Sequence, residues 1–237
     1  MTKQINFLMT TSLLLAASMT TACQGSGGSG DSRIVGAAIG TDGVHGTSTP
    51  TPDFIEGEAA GPNTITLALR YVSYLNSAGT PVIDEATSQK IVRRVNELYA
   101  PCDVRFFIEE YVPAIPGDLG LAYGMSSMSE LDPIRSQFES QDRLVVINTG
   151  NWSAPESANA WTTMPGYSPS GAVLEAQVAT NGEIVAHEIG HYLNLDHVST
   201  ATNLLSPIVY KTSTVLTARQ CEIVRQSAVD SWSAMRR

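Results

Sequence analysis

Apolar residues along this chain follow two rhythms, and the switches between them set out its elements. Residues 64–72, with Ile65, Leu67, Leu69, Tyr71 and Val72, are β-rich and predict a strand. From 84 to 100, Ile91, Val95 and Leu98 recur at helical spacing and predict a helix. Residues 104–112 predict a second strand. Residues 143–148 predict a third, whose nearly unbroken apolar run marks a central strand buried on both faces. Residues 127–138 between them fit either a short helix or a turn. Two more short strands are expected at 158–163 and 171–177, on either side of a loop containing Pro and Gly. Thr180 and Glu183 have capping-box spacing and predict a helix start just before residue 187. In that helix Val185, Ile189 and Tyr192 form an apolar stripe on a different face from His187 and His191. The helix is therefore expected to bury one side and turn the histidines to a cleft. Thr217 and Gln220 repeat the cap signature ahead of a last helix through Val224 and Ala228. This order of elements predicts a mixed α+β domain.

The beginning of the chain has a different character. Lys3 is the only charge before Asp31, and an apolar stretch from Phe7 through Leu13, Leu14, Leu15, Ala16 and Ala17 leads by small residues to Cys23. Residues 1–22 read as an export signal, too short and too interrupted to span a membrane as a finished helix. The segment Met19-Thr20-Thr21-Ala22-Cys23 resembles a bacterial lipoprotein lipobox, which implies that Cys23 carries lipid and becomes the new N-terminus. Thr20 stands where that pattern usually has Leu, and ordinary cleavage nearby is the alternative. Residues 24–30 are Gly and Ser with one Gln, and low complexity continues to about Pro62. The expected organisation is a signal over 1–22, a tether over 23–60 and a folded domain over 61–237.

Composition narrows the classes. With 237 residues, 43% of them apolar and 16% charged, the chain can build one domain with a full core. A net charge of −9 and a pI near 4.8 exclude nucleic acid as a partner, since phosphate binding needs clustered Lys and Arg. With Cys23 lipidated, Cys102 and Cys221 remain as a pair in an oxidising setting. A disulfide between them is expected, with two buried free thiols as the alternative.

The chemistry concentrates in residues 187–197. His187 and His191 lie one helical turn apart, so both imidazoles can reach one ion, with Glu188 beside them but not a ligand. His197 supplies a third nitrogen. Three neutral imidazoles leave one tetrahedral position open, which is the arrangement of a catalytic zinc rather than a structural one. Glu188 is then the candidate general base for an ion-bound water. His45, in the tether, reads as a solvated linker residue. Asp196 fits two roles equally, a carboxylate orienting an imidazole or a solvated loop residue.

The run His187-Glu188-x-x-His191-x-x-Asn194-x-x-His197 resembles the metzincin zinc-protease signature, and the segments 182–197 and 203–220 resemble bacterial, matrixin-like members. The resemblance implies His187, His191 and His197 as ligands of one zinc. It implies a twisted mixed sheet over the active-site helix, with a small C-terminal helical subdomain. It further implies that 158–163 is the edge strand, pairing with an extended peptide. Residues 207–210, Pro207 and Tyr210 among them, would form one wall of a substrate pocket. Two positions depart from the family: Asn194 stands where it has Gly, and Leu205 where it has the Met beneath the metal. Pro207 occupies the place where some members have a tyrosine. The patch at 54–58 reads as a spacer or, alternatively, as a segment laying a carboxylate over the zinc.

The function expected from these features is an exported zinc endopeptidase acting on protein or peptide substrates. It would be a monomer in the cell envelope or outside it, touching membrane only through its lipid. The alternative is a catalytically weak or inactive surface lipoprotein of the same fold, acting as a binding module. A purely structural zinc would need a fourth protein ligand, and neither Cys102 nor Cys221 lies in a metal-spaced motif.

Overall fold

A computed structural model describes residues 61–154 and 158–237. The export segment, Cys23, the tether, His45 and the patch at 54–58 lie outside the described residues. The sheet is assembled around strand β1, Ile65–Tyr74. Strand β2, Val104–Ala114, runs parallel to β1 on one side, and β3, Leu144–Asn148, runs parallel on the other. Next to β3 lies parallel β5, Ala172–Leu174, and then antiparallel β4, Ala160–Thr162, giving the order β2-β1-β3-β5-β4. Strand β3 is thus central, as its apolar run predicts. Parallel neighbours need a crossover, and helix α1, Glu85–Tyr99, supplies it between β1 and β2. Asp84 caps α1 by accepting from the Thr87 amide at 2.6 Å.

Side chains alternate through the sheet into two clusters. Leu67, Leu69, Tyr71, Leu144, Val146, Ala172 and Leu174 face the side that packs on α1 and on α3, Gly182–Tyr192. Val72, Tyr74, Val145, Ile147 and Val173 face the other side, against Ile134 and Phe138 of α2, Leu131–Phe138. Cover on both faces explains why the central strands read as continuous apolar runs. The open choice at 127–138 resolves as a 3-10 turn, Met128–Glu130, with a Ser127–Glu130 capping box, leading directly into α2.

The C-terminal part begins with α4, Ala218–Asp230, under the expected Thr217–Gln220 capping box. A disulfide joins Cys102, just past α1, to Cys221 of α4. Beyond α4, Arg236 bridges Leu67 in antiparallel fashion and the Arg237 amide donates to the Thr66 carbonyl. The chain end thereby covers the part of β1 that β3 does not reach. No helix among the described residues is long and apolar enough to cross a membrane.

Two expectations are corrected around α3. Its N-cap is Asn181, whose side chain accepts from the amides of Glu183 and Ile184, and not Thr180. The amides of Val178 and Ala179 fold back onto the Glu175 carbonyl in a turn that follows β5, and Thr180 is left one residue short of the capping position. The helix is also not two-faced. Every residue from Ile184 to Tyr192 is buried, His187 and His191 included, because the loops after it close over the side that carries the histidines.

Candidate metal centre

Helix α3 places His187 and His191 one turn apart, and the chain must then reverse to bring His197 beside them. It reverses at Asn194, whose φ of 67° is left-handed. The Leu195 amide donates back to the Gly190 carbonyl at 2.9 Å and the Asn194 amide to that of His191. Asn enters this conformation more readily than other residues with a Cβ, so it fills the role that glycine has in the family signature.

The three imidazoles meet through their Nε2 atoms, separated by 3.0 Å (His187–His191), 3.1 Å (His191–His197) and 3.2 Å (His187–His197). His187 Nδ1–H donates to the Leu204 carbonyl at 2.8 Å and His191 Nδ1–H to the Leu195 carbonyl at 2.7 Å. These donors fix the tautomers, so Nε2 of both residues carries a lone pair and neither can donate to the other. Lone pairs facing one point at such separations fit a shared cation. A tetrahedral zinc with nitrogens at about 2.0–2.1 Å needs ligand atoms about 3.3 Å apart, close to the observed triangle.

Burial keeps the ligands neutral. It holds His187 well below the ordinary imidazole value, helped by the repulsion that a proton on His187 would meet from protonated His191 or His197. It pushes His191 down to about 4, and it lowers half-buried His197 against the opposing charge of Asp196. Asp196 itself is exposed and makes no hydrogen bond to an imidazole among the described residues, so its influence on His197 is by charge alone.

Beneath the triangle lies the turn 203–206. Leu205 is fully buried, and its Cδ atoms would stand 3.0 and 3.2 Å from a Cβ built on Gly190, with the Tyr99 hydroxyl at 3.1 Å. Leu205 therefore packs directly on the bare backbone of α3, in the place where the family signature has methionine. Asn203 organises this turn: its Oδ1 accepts from the Leu205 amide, its carbonyl accepts from Ser206, and its amide is paired with that of Gln220. Sequence reading gave Asn203 no role of its own; its place between His197 and the Thr217–Gln220 cap was the available signal.

Glu188 is buried, and Thr162 of β4 donates its hydroxyl to Glu188 Oε2 at 2.5 Å. Burial raises the Glu188 carboxyl to about 7, against the lowering effects of Thr162 and of the charge on Arg135. Arg135, itself buried on α2, donates from Nε to the Gly171 carbonyl and from an Nη to the Trp161 carbonyl, tying the edge strand β4 to the residue that leads into β5. Neither Thr162 nor Arg135 was legible as a site residue. Tyr210 is exposed and Pro207 half-buried, and among the described residues neither is hydrogen-bonded to the histidines. The region at 158–163 is an edge strand as expected, shortened to Ala160–Thr162. The Glu175 amide donates to the Asn159 carbonyl, so odd-numbered residues of β4 face β5. Ala160 and Thr162 consequently direct their N–H and C=O groups to the edge that is open among the described residues.

No family model matches the chain, and no curated protein matches it. Among solved structures it is similar to metalloproteinase-II from Bacteroides fragilis, at 15% identity and a TM-score of 0.50, over 70% of this chain and 54% of that one. The chain thus spans about half the length of that protein. The likeness bears on the fold, and with the mixed five-stranded sheet it makes this a metzincin-like α+β fold. On that fold, His187, His191 and His197 form a cluster able to hold a metal ion.

Proposed function

We propose that this chain is an exported zinc-dependent endopeptidase of the matrixin-like bacterial kind. The observation that supports this above the rest is the convergence of three imidazoles, with the tautomers of His187 and His191 fixed, beside a buried carboxylate that is not needed as a ligand. His187, His191 and His197 would hold the ion, and their number leaves one position open. When bound, zinc makes a water acidic near neutral pH and polarises a substrate carbonyl. Glu188 would serve as the base that takes a proton from a water at the open position and hands it to the leaving amine. Thr162 occupies Oε2, so Oε1 is the oxygen available for this transfer. A peptide would lie along β4, pairing with the outward groups of Ala160 and Thr162, with residues 207–210 bounding a pocket.

The departures at 194 and 205 are the sequence features that favour the binding-module alternative. Asn194 adopts the left-handed turn and Leu205 fills the space under α3, so neither position argues for a disabled site. The disulfide between Cys102 and Cys221 supports residence in an oxidising compartment, in keeping with an export signal and lipidation of Cys23. Action as a monomer on extracytoplasmic protein completes the reading.

The test is to express the full chain, measure zinc per chain and assay cleavage of an unstructured protein with and without chelator. The expected result is about one zinc per chain and chelator-sensitive cleavage, abolished in Glu188→Ala with zinc retained. Full zinc occupancy without cleavage of any substrate would leave the binding module standing. Loss of both zinc and activity in Glu188→Ala would mean that Glu188 serves the metal rather than the water.

A further inference from the structure

The residue of β4 that faces the general base also belongs to the open edge. Thr162 points its hydroxyl down at Glu188 while its backbone N–H and C=O point outward, where an added strand would pair. Its side chain is buried, and the residues on either side of it are held: the Thr163 amide donates to the Gly171 carbonyl, and the Trp161 carbonyl accepts from Arg135. Thr162 is paired with Ala172 of β5, and Arg135 anchors the neighbouring Trp161 carbonyl and the Gly171 carbonyl across the ladder. Gly171 allows this approach, because a Cβ there would come within 3.3 Å of the Arg135 Cγ. The hydroxyl donor is thus fixed by the sheet and not by a loop. A carboxylate held at one oxygen by a rigid donor loses its freedom to rotate, and the other oxygen acquires one defined direction.

We propose that Thr162 is a positioning residue for Glu188: its hydroxyl fixes the carboxylate through Oε2 so that Oε1 faces the reacting water, and its backbone ties that alignment to a peptide on the edge strand. The proposal deepens the endopeptidase reading and rests on it. Orienting a base changes the rate of the chemical step and leaves substrate pairing intact, whereas damage to the strand weakens both.

The experiment compares full-length wild type with Thr162→Val, which removes the hydroxyl at nearly constant shape, and Thr162→Ser, which keeps it. Zinc content, kcat and KM are read for each. Expected for Thr162→Val is wild-type zinc content, a kcat lower by about 10–100-fold and a KM within about twofold. Thr162→Ser should recover most of the lost kcat. Should Thr162→Val fail to fold, Thr162→Ala takes its place in the same comparison. A wild-type kcat in the hydroxyl-free variant, or a fall in kcat that Ser does not rescue, overturns the proposal. A second readout needs no activity: a double-mutant cycle of Thr162→Val with Glu188→Ala in denaturant unfolding of the metal-free chain. A buried hydrogen bond to a carboxylate predicts coupling of about tenfold in the unfolding constant, and strict additivity would overturn the contact. A wild type that holds zinc and cleaves nothing fails the endopeptidase reading, while this cycle still judges the hydrogen bond.

Discussion

The side-chain amides of Asn203 and Gln220 hydrogen-bond each other in both directions, at 2.8 and 3.0 Å, in the interior. Gln220 is also the residue that closes the cap of α4, so one amide pair fastens the C-terminal helix to the turn that offers the Leu204 carbonyl to His187. Asn203→Ala removes this clasp and leaves the Leu205 amide without its acceptor. Zinc affinity should fall by about 10–100-fold, as for other groups that orient a ligand. Competition with a chelating dye measures it. Unchanged affinity in a folded variant would show that the carbonyl is held by other means.

Gly190 and Leu205 form a tight contact, and the two partners should respond differently to change. Gly190→Ala puts a methyl group 3.0 Å from a Leu205 Cδ and 3.1 Å from the Tyr99 hydroxyl, which is bonded to the Ala186 carbonyl. Overpacking at such a place should cost about 1–3 kcal/mol. Leu205→Met conserves volume and should cost less than about 1.5 kcal/mol. Denaturant midpoints decide both, and an Ala variant as stable as wild type would mean that Leu205 repacks freely.

The disulfide between Cys102 and Cys221 closes a loop with a sequence separation of 119 residues. In the chain-entropy picture a loop of this length restrains the unfolded chain by up to about 5 kcal/mol. Cys102→Ser with Cys221→Ser should therefore unfold at markedly lower denaturant than the oxidised wild type, and reductant should shift only the wild type. Equal midpoints for oxidised and reduced wild type would contradict this.

Two buried groups should act in opposite directions on the stability of the metal-free chain. His191 is pushed by burial from 6.5 to about 4, so the unfolded chain takes up protons that the folded one refuses. The stability it contributes is complete above pH 6.5 and is lost as pH falls toward 4. Glu188 is raised from 4.5 to about 7, so the folded chain keeps a proton that the unfolded one releases. Its contribution is complete below pH 4.5 and is lost as pH rises through 7. Glu188→Gln removes the second effect alone. With chelator present, the loss of stability on acidification from pH 7 to 4.5 should be steeper in this variant than in wild type. Parallel curves would mean that Glu188 is not protonated in the folded metal-free chain.

Much of this was legible because it is local. Apolar spacing located α1 and the central strand β3, and eleven residues carried the histidines and Glu188. What sequence could not supply depends on contacts across the chain. Thr162 and Glu188 are 26 positions apart, and Arg135 reaches carbonyls 26 and 36 positions away. No periodicity announces such pairs. The stripe of Val185, Ile189 and Tyr192 misled for a related reason, because the cover over the other face of α3 comes from loops after the helix that its own periodicity does not describe. The cap at Asn181 was missed on a finer scale, where a turn at Glu175 displaced the helix start by one residue.

The shortness of β4 has a consequence for the company this protein keeps. An exposed sheet edge is a template on which any extended chain can stack, and proteins guard against it with charge, proline or brevity. Strand β2, at the opposite edge, carries Arg105, Glu109, Glu110 and Pro113 along its length. Strand β4 spans only Ala160–Thr162, with two residues turned outward. Such an edge offers little to a stack of identical copies, while on the proposed function its two outward residues would set the register of a single bound peptide. On that function its length would act as a filter that tolerates brief guests and discourages permanent ones.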